Sequence, residues 1–127
     1  MKAKRSLLPR LDLRALPGPE DVGRQELPNG IVILARENFT TPSVVLSGYV
    51  AAGAIQTNGQ RAGLADLTAA AMMRGTEGRS FRDIFEAIES IGANLGLTAN
   101  EHTTTFQGKA LSEELPLLID LLSDILR

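Results

Sequence analysis

Apolar and polar residues begin to recur at a regular spacing near Arg24. Gln25 to Leu27 and Ile31 to Ala35 flank Asn29-Gly30. An Asn-Gly pair between short apolar segments is the strongest local hairpin signal, and a two-residue turn of that kind needs positive φ at both central positions. Ser43 to Val50 is β-branched and apolar, which predicts a mostly buried strand ending at Ala51-Ala52-Gly53. A polar loop, Gln56 to Gln60, then leads into an Ala- and Leu-rich run from about Ala62 to Arg74. Leu64, Leu67, Ala71 and Met72 share one face of the helix this run predicts, and Gly75 stops it.

The next helix has the clearest signature. Ser80 stands at the N-cap with Asp83 three residues on, and Phe81, Ile84, Phe85, Ile88 and Ile91 follow at helical spacing before Gly92. Asn94 to Ala99 and Thr103 to Leu111 read as two strands joined by a tight turn at Asn100 to His102, since the threonines favour strand over helix. A last helix opens at Ser112. Glu113 and Glu114 suit the positive end of its dipole, and Pro116 is tolerated because it falls in the first turn. Leu118, Ile119, Leu122, Ile125 and Leu126 form its apolar stripe. The pattern is cut off at Arg127 without a cap, so a natural protein is expected to continue past it.

The predicted order is ββ-β-α-α-β-β-α. It defines an α+β fold with a largely antiparallel sheet and helices packed on one face. Residues 1–23 hold Pro9, Pro17, Pro19, Gly18 and Gly23 and read as an irregular arm, leaving 24–127 as the folded part.

Composition narrows the chemistry. Of 127 residues none is cysteine, which removes disulfides, thiolate metal sites and a cysteine nucleophile. The net charge of −2 hides an asymmetry: Lys2, Lys4, Arg5, Arg10 and Arg14 face one acid, Asp12, whereas the rest of the chain holds 8 bases and 14 acids. A basic arm can touch nucleic acid or an anionic membrane. This one has no interleaved aromatics and precedes an acidic domain, so it reads as a solvated leader. Pro9 directly after Leu7-Leu8 breaks any export signal, and no run approaches the ~20 apolar residues of a membrane span. A soluble, cytoplasmic protein is the expectation, with an organellar transit peptide the weaker alternative.

Five segments, in order, resemble the pitrilysin, insulinase and mitochondrial-processing-peptidase family. Leu27-Pro28-Asn29-Gly30-Ile31-Val32 is similar to its opening hairpin. Gly53, Gly63-Leu64-Ala65 and Arg74-Gly75-Thr76 are similar to the frame around its metal helix, and Ser90-Ile91-Gly92-Ala93-Asn94-Leu95 to the segment that follows. The Thr-rich strand at 103–106 fits as well. The resemblance implies the N-terminal part of a processing-peptidase-like domain. In active members the helix carries H-x-x-E-H, in which two histidines four residues apart share a zinc ion and the glutamate between them polarises water.

Counting from either side of the frame places that motif on Asp66-Leu67-Thr68-Ala69-Ala70. Asp66 and Ala70 take the histidine positions and Ala69 the glutamate position, so no metal and no catalytic residue is expected, and no cofactor. The only histidine, His102, sits in a predicted turn beside Glu101, where a solvated residue is the ordinary reading. Gly59 to Gly63 lacks the Lys-Ser/Thr ending of a phosphate loop. Met72-Met73 reads as core, and Glu86 with Glu89 as an exposed helix face.

By resemblance, the chain is expected to be a non-catalytic subunit that completes a peptidase chamber and binds an extended peptide. Its partner would be a catalytic H-x-x-E-H subunit or a second copy of itself, with no nucleic acid involved. Any Arg-Tyr substrate-binding pair contributed by such a subunit would lie outside these residues. Two alternatives stand beside this: a scaffold, like the degenerate core proteins of respiratory cytochrome bc complexes, and an active hydrolase with an unanticipated site.

Overall fold

A computed structural model describes residues 18–57 and 61–127. The basic residues of the leader, and Asn58 to Gln60 of the polar loop, lie outside the described residues. The chain divides into two units, 1–41 and 42–127.

In the first unit a 3-10 turn, Pro19–Asp21, precedes an antiparallel hairpin of β1 (Gly23–Glu26) and β2 (Val32–Ala35). The hairpin is where the sequence places it, but the turn differs. Only Gly30 has positive φ there, at 86°, because Pro28 locks its own φ near −65° and selects a turn from Leu27 to Gly30 closed by the Gly30 N–H on the Leu27 carbonyl at 2.9 Å. The Asn29 side chain accepts from the Ile31 N–H at 3.2 Å, so its role is a local hydrogen bond and not a left-handed backbone.

The second unit is a three-stranded antiparallel sheet covered by three helices. Its strands are β3 (Ser43–Val50), β4 (Asn94–Ala99) and β5 (Thr104–Leu111), in the order β3-β5-β4. The helices are α1 (Leu64–Met72), α2 (Phe81–Ser90) and α3 (Leu115–Ile125), the last led in by a 3-10 turn at Ser112–Glu114. The predicted element order and the α+β class are observed. Strand alternation divides the sheet into two faces. Leu46, Gly108 and Leu95 form one cross-strand row, as do Gly48, Phe106 and Leu97. This face meets the helices: a side chain at Gly108 would stand 3.2 Å from Leu118 of α3. Leu95 and Leu97 pack on the core of Ile84, Ile88, Leu121 and Ile125. The opposite face presents Val45, Tyr49 and Leu111 to solvent.

Three expectations need correction. Among the described residues β3 lies at an edge of its sheet and is only half-buried, because β5 pairs on both sides. On α1 the inward residue is Ala69, at 3% exposure, whereas Leu67 is 68% exposed; small side chains let the helix approach β4 closely. On α3 the stripe turns by one position, burying Leu121 with Leu118, Leu122 and Ile125 and leaving Ile119 exposed. α2 follows its pattern: Ile84 and Ile88 are buried, and Ser80 and Asp83 form a reciprocal capping box. Its stabilisation combines that cap with an apolar face of two buried isoleucines, each contributing ~1.5–3 kcal/mol on burial.

Candidate functional site

Helix α1 is positioned by backbone geometry at both ends. Gly63 at its N-cap has φ of 82°, a left-handed conformation that a β-carbon disfavours, and gives no side-chain cap. Upstream, Gly53 is buried against the β4–β5 turn: a β-carbon there would stand 2.5 Å from the carbonyl carbon of His102 and 2.6 Å from the Glu101 oxygen. That closeness lets the Ala54 and Ile55 N–H groups donate to the Asn100 and Glu101 carbonyls at 3.0 and 2.9 Å. The Thr104 hydroxyl adds a bond to the Ala52 carbonyl at 2.7 Å.

After α1 the chain turns through Gly75, whose φ is 149°, and Gly75 bridges Ser80 at the start of α2. The Thr76 hydroxyl donates to Asp124 on α3 at 2.8 Å and accepts from the Arg79 N–H at 3.0 Å. Arg79 in turn reaches Asp124 at 2.8 Å and Asp120 at 2.6 Å. The Thr76 hydroxyl and then Arg79 hold the Asp124 carboxyl below its ordinary range against partial burial. Asp124 and Asp120 raise the already high pKa of Arg79. Nearby, the Arg74 guanidinium lies 4.8 Å from the centre of the Phe81 ring, and Phe81 and Phe85 are tilted at 48° with centroids 4.6 Å apart.

Within this frame the three motif positions separate. Asp66 and Ala70 are exposed, one turn apart on α1, while the Ala69 methyl is buried. The donor set does not fit the zinc of active members: it offers one carboxylate and two methyl groups, and one methyl is core. His102 is exposed in the β4–β5 turn and Glu101 beside it faces solvent. Among the described residues no three His, Asp or Glu side chains converge as a metal group. Two surface hollows, of about 350 and 470 Å³, are lined respectively by Gln56, Thr57, Arg61 and Leu64, and by residues around Gly75 to Gly78 and the end of α3. Asp66 and His102 line neither. Glu86 is paired with Arg82 at 2.6 Å, an exposed i, i+4 pair of small energetic weight.

Sequence reasoning missed two features of this region. The first is the Thr76–Arg79–Asp124 clamp, whose trace in the sequence is the four-residue spacing of Asp120 and Asp124 on one helix face. The second is the outer edge of β4, the strand that α1 covers, which has no strand beyond it among the described residues.

An antiparallel sheet with helices on one face, and a helix framed by Gly63 and Gly75, define a metallopeptidase-type scaffold. Residues 32–127 match the family described as Insulinase (Peptidase family M16), and the chain belongs to that family. It is 34% identical over 101 residues to the mitochondrial-processing peptidase subunit beta of Saccharomyces cerevisiae, covering 80% of this chain and 22% of that protein. To cytochrome b-c1 complex subunit 2 of Mus musculus it is 27% identical over 122 residues, covering 92% and 27%. Among solved structures it is similar to a peptidase M16 inactive domain from Pseudomonas fluorescens, with a TM-score of 0.73 and 25% identity over 82% of this chain and 26% of that one. The chain thus spans roughly a quarter of the length of these relatives. No helix among the described residues is long and apolar enough to cross a membrane.

Proposed function

We propose that this chain acts as a non-catalytic subunit of a peptidase chamber, holding an extended peptide while a partner with an intact H-x-x-E-H helix cuts it. The observation that supports this best is the combination of a preserved helix frame with an inward, sequestered Ala69 in place of the glutamate. Beside that helix, β4 leaves one side of its backbone unpaired among the described residues, and an extended peptide can add there as a further strand through main-chain hydrogen bonds. The likeness to a processing-peptidase subunit and to a domain named inactive agrees with this reading.

The test is hydrolysis of a fluorogenic peptide by the purified chain, alone and mixed with its H-x-x-E-H partner, with zinc measured on both. The expected result is no activity and no stoichiometric zinc alone, and a higher rate with the partner than the partner gives by itself. A zinc stoichiometry near one that disappears in Asp66→Ala would overturn it. A scaffold role is the second reading, favoured by the match to a cytochrome b-c1 complex subunit across 92% of this chain. It predicts no change in the partner's rate.

A further inference from the structure

The turn of the β1–β2 hairpin carries a reactive arrangement that holding a peptide does not use. Pro28, Asn29 and Gly30 are all exposed. The Asn29 side-chain oxygen accepts from the Ile31 N–H at 3.2 Å, which folds the side chain back along the main chain and sets its amide carbon beside the intervening Gly30 nitrogen. The same hydrogen bond draws charge toward that oxygen, where negative charge develops when a nucleophile adds to the amide carbon. Gly30 has no β-carbon to crowd the approach, and the place where one would stand has nothing within 4 Å.

Asn38 supplies a comparison within the same chain. Its side-chain oxygen accepts from the Thr40 N–H at 3.1 Å and from the Thr40 hydroxyl at 2.7 Å, so its side chain makes the same turn. The nitrogen it spans belongs to Phe39, however, whose β-carbon and ring crowd any bond formed there. Asn94 is held extended within β4 ahead of Leu95, and Asn100 precedes Glu101 and donates from its side chain to the Thr105 hydroxyl at 3.4 Å. One contact opposes reaction at Asn29. The Gly30 N–H donates to the Leu27 carbonyl at 2.9 Å and must leave it before the nitrogen attacks. A hydrogen bond of ordinary net strength slows that step by no more than about tenfold, or ~1.4 kcal/mol.

We propose that Asn29 is a site of spontaneous deamidation. The Gly30 nitrogen, its proton lost to solvent base, bonds to the Asn29 amide carbon. The side-chain carbon–nitrogen bond then breaks, ammonia departs with a proton taken from water, and a cyclic succinimide remains. Water opens the ring at either carbonyl to give aspartate or isoaspartate, so the net change is amide plus water to carboxylic acid plus ammonia. Either product adds one negative charge to the formal −2 of the chain. The isoaspartyl link also inserts a methylene into the main chain, inside a turn whose ends are tied by the Leu27 N–H donating to the Ile31 carbonyl at 2.8 Å. Modification therefore loosens the closed end of the hairpin.

Warm incubation of the purified chain at mildly alkaline pH tests the proposal, with peptide mapping by mass and labelling by a methyltransferase specific for isoaspartyl carboxylates. Asn58-Gly59 repeats the dipeptide outside the described residues, so Asn58→Gln serves as the background for every measurement. Isoaspartate should accumulate at Asn29 at a rate within about tenfold of a free peptide of residues 24–35, and at least about tenfold faster than at Asn38. Asn29→Gln should abolish it, since the longer side chain closes a larger ring. Phe39 is 89% exposed, so Phe39→Gly should leave the circular dichroism unchanged. The same substitution should speed reaction at Asn38 by at least about tenfold, because the side-chain turn is already in place there. The proposal is overturned if Asn29 stays unlabelled while the free peptide reacts to completion, if Asn38 keeps pace with Asn29, or if Asn38 remains unreactive in Phe39→Gly.

Discussion

Placing a glutamate at position 69 should destabilise this protein substantially. Ala69 is 3% exposed, so a Glu there must fit four more heavy atoms and a charge into space now filled by a methyl group. Overpacking a dense core costs typically 1–3 kcal/mol, and burying a polar group without a partner adds about 1–3 kcal/mol on the scale of protein mutational data. Ala69→Glu should therefore cost about 2–6 kcal/mol, a large share of the ~5–15 kcal/mol that holds a domain of this kind folded.

Urea denaturation followed by circular dichroism measures the cost, and two companions divide it. Ala69→Gln keeps the size without the charge. Ala70→His, on the exposed side, should change stability by no more than about 0.5 kcal/mol. The pH dependence has a definite sign. Burial raises the folded-state pKa of the introduced carboxyl above its unfolded value, so the charge part of the penalty is complete above the folded pKa and vanishes below the unfolded one. The difference between the Glu and Gln variants should shrink from pH 7.5 to pH 5. If Ala69→Glu unfolds within about 0.5 kcal/mol of the parent at neutral pH, position 69 has room for a glutamate and is not a closed core position.

Other outcomes can be checked on the same instrument. Ile84→Ala, at a fully buried position, should cost about 2–5 kcal/mol, whereas Phe85→Ala, at 43% exposure and one residue along, should cost distinctly less. Gly53→Ala places a β-carbon 2.5 Å from backbone that cannot yield, so it should shift the β4–β5 turn; loss of amide hydrogen-exchange protection at Ala54 and Ile55 would register it. Asp83 and Asp124 both have pKa values lowered by hydrogen bonds, to Ser80 in the first case and first to Thr76 in the second. Their contribution is present above the ordinary carboxylate value of 3.8 and is lost as pH falls through the lowered folded values, so Asp124→Asn should flatten the acid limb of a melting-temperature profile without removing the limb due to Asp83.

What the sequence discloses depends on how locally each feature is determined. Ser80, Asp83 and the spacing of Ile84 and Ile88 specify α2 within a dozen residues, and the helix forms there. The Asn29-Gly30 hairpin is equally local, yet Pro28 decides the turn type and the two-residue rule for Asn-Gly does not. Faces are harder to read. Leu67 outranks Ala69 on any hydrophobicity scale, but how near α1 lies to β4 decides which one is buried, and that distance is a property of the sheet. Strand order has the same character: Ser43 to Val50 is apolar enough to be central, and Thr104 to Leu111 takes the centre because it pairs on both sides. For the site, the residues Asp66, Ala69 and Ala70 are read directly from the sequence. The reach of Arg79 across to Asp120 and Asp124 is not, since more than forty residues separate them.

The clamp at Thr76 bears on what a motif match means. Gly75 and Thr76 belong to the frame by which the metal helix is recognised, yet here their atoms serve α3 and the start of α2: one turns the chain, the other anchors Asp124 and caps the loop to Arg79. The flanking letters Gly75 and Thr76 therefore have a structural task of their own, whatever stands at positions 66, 69 and 70. Conservation of such a frame in a folded chain is thus a requirement of packing before it is a sign of chemistry.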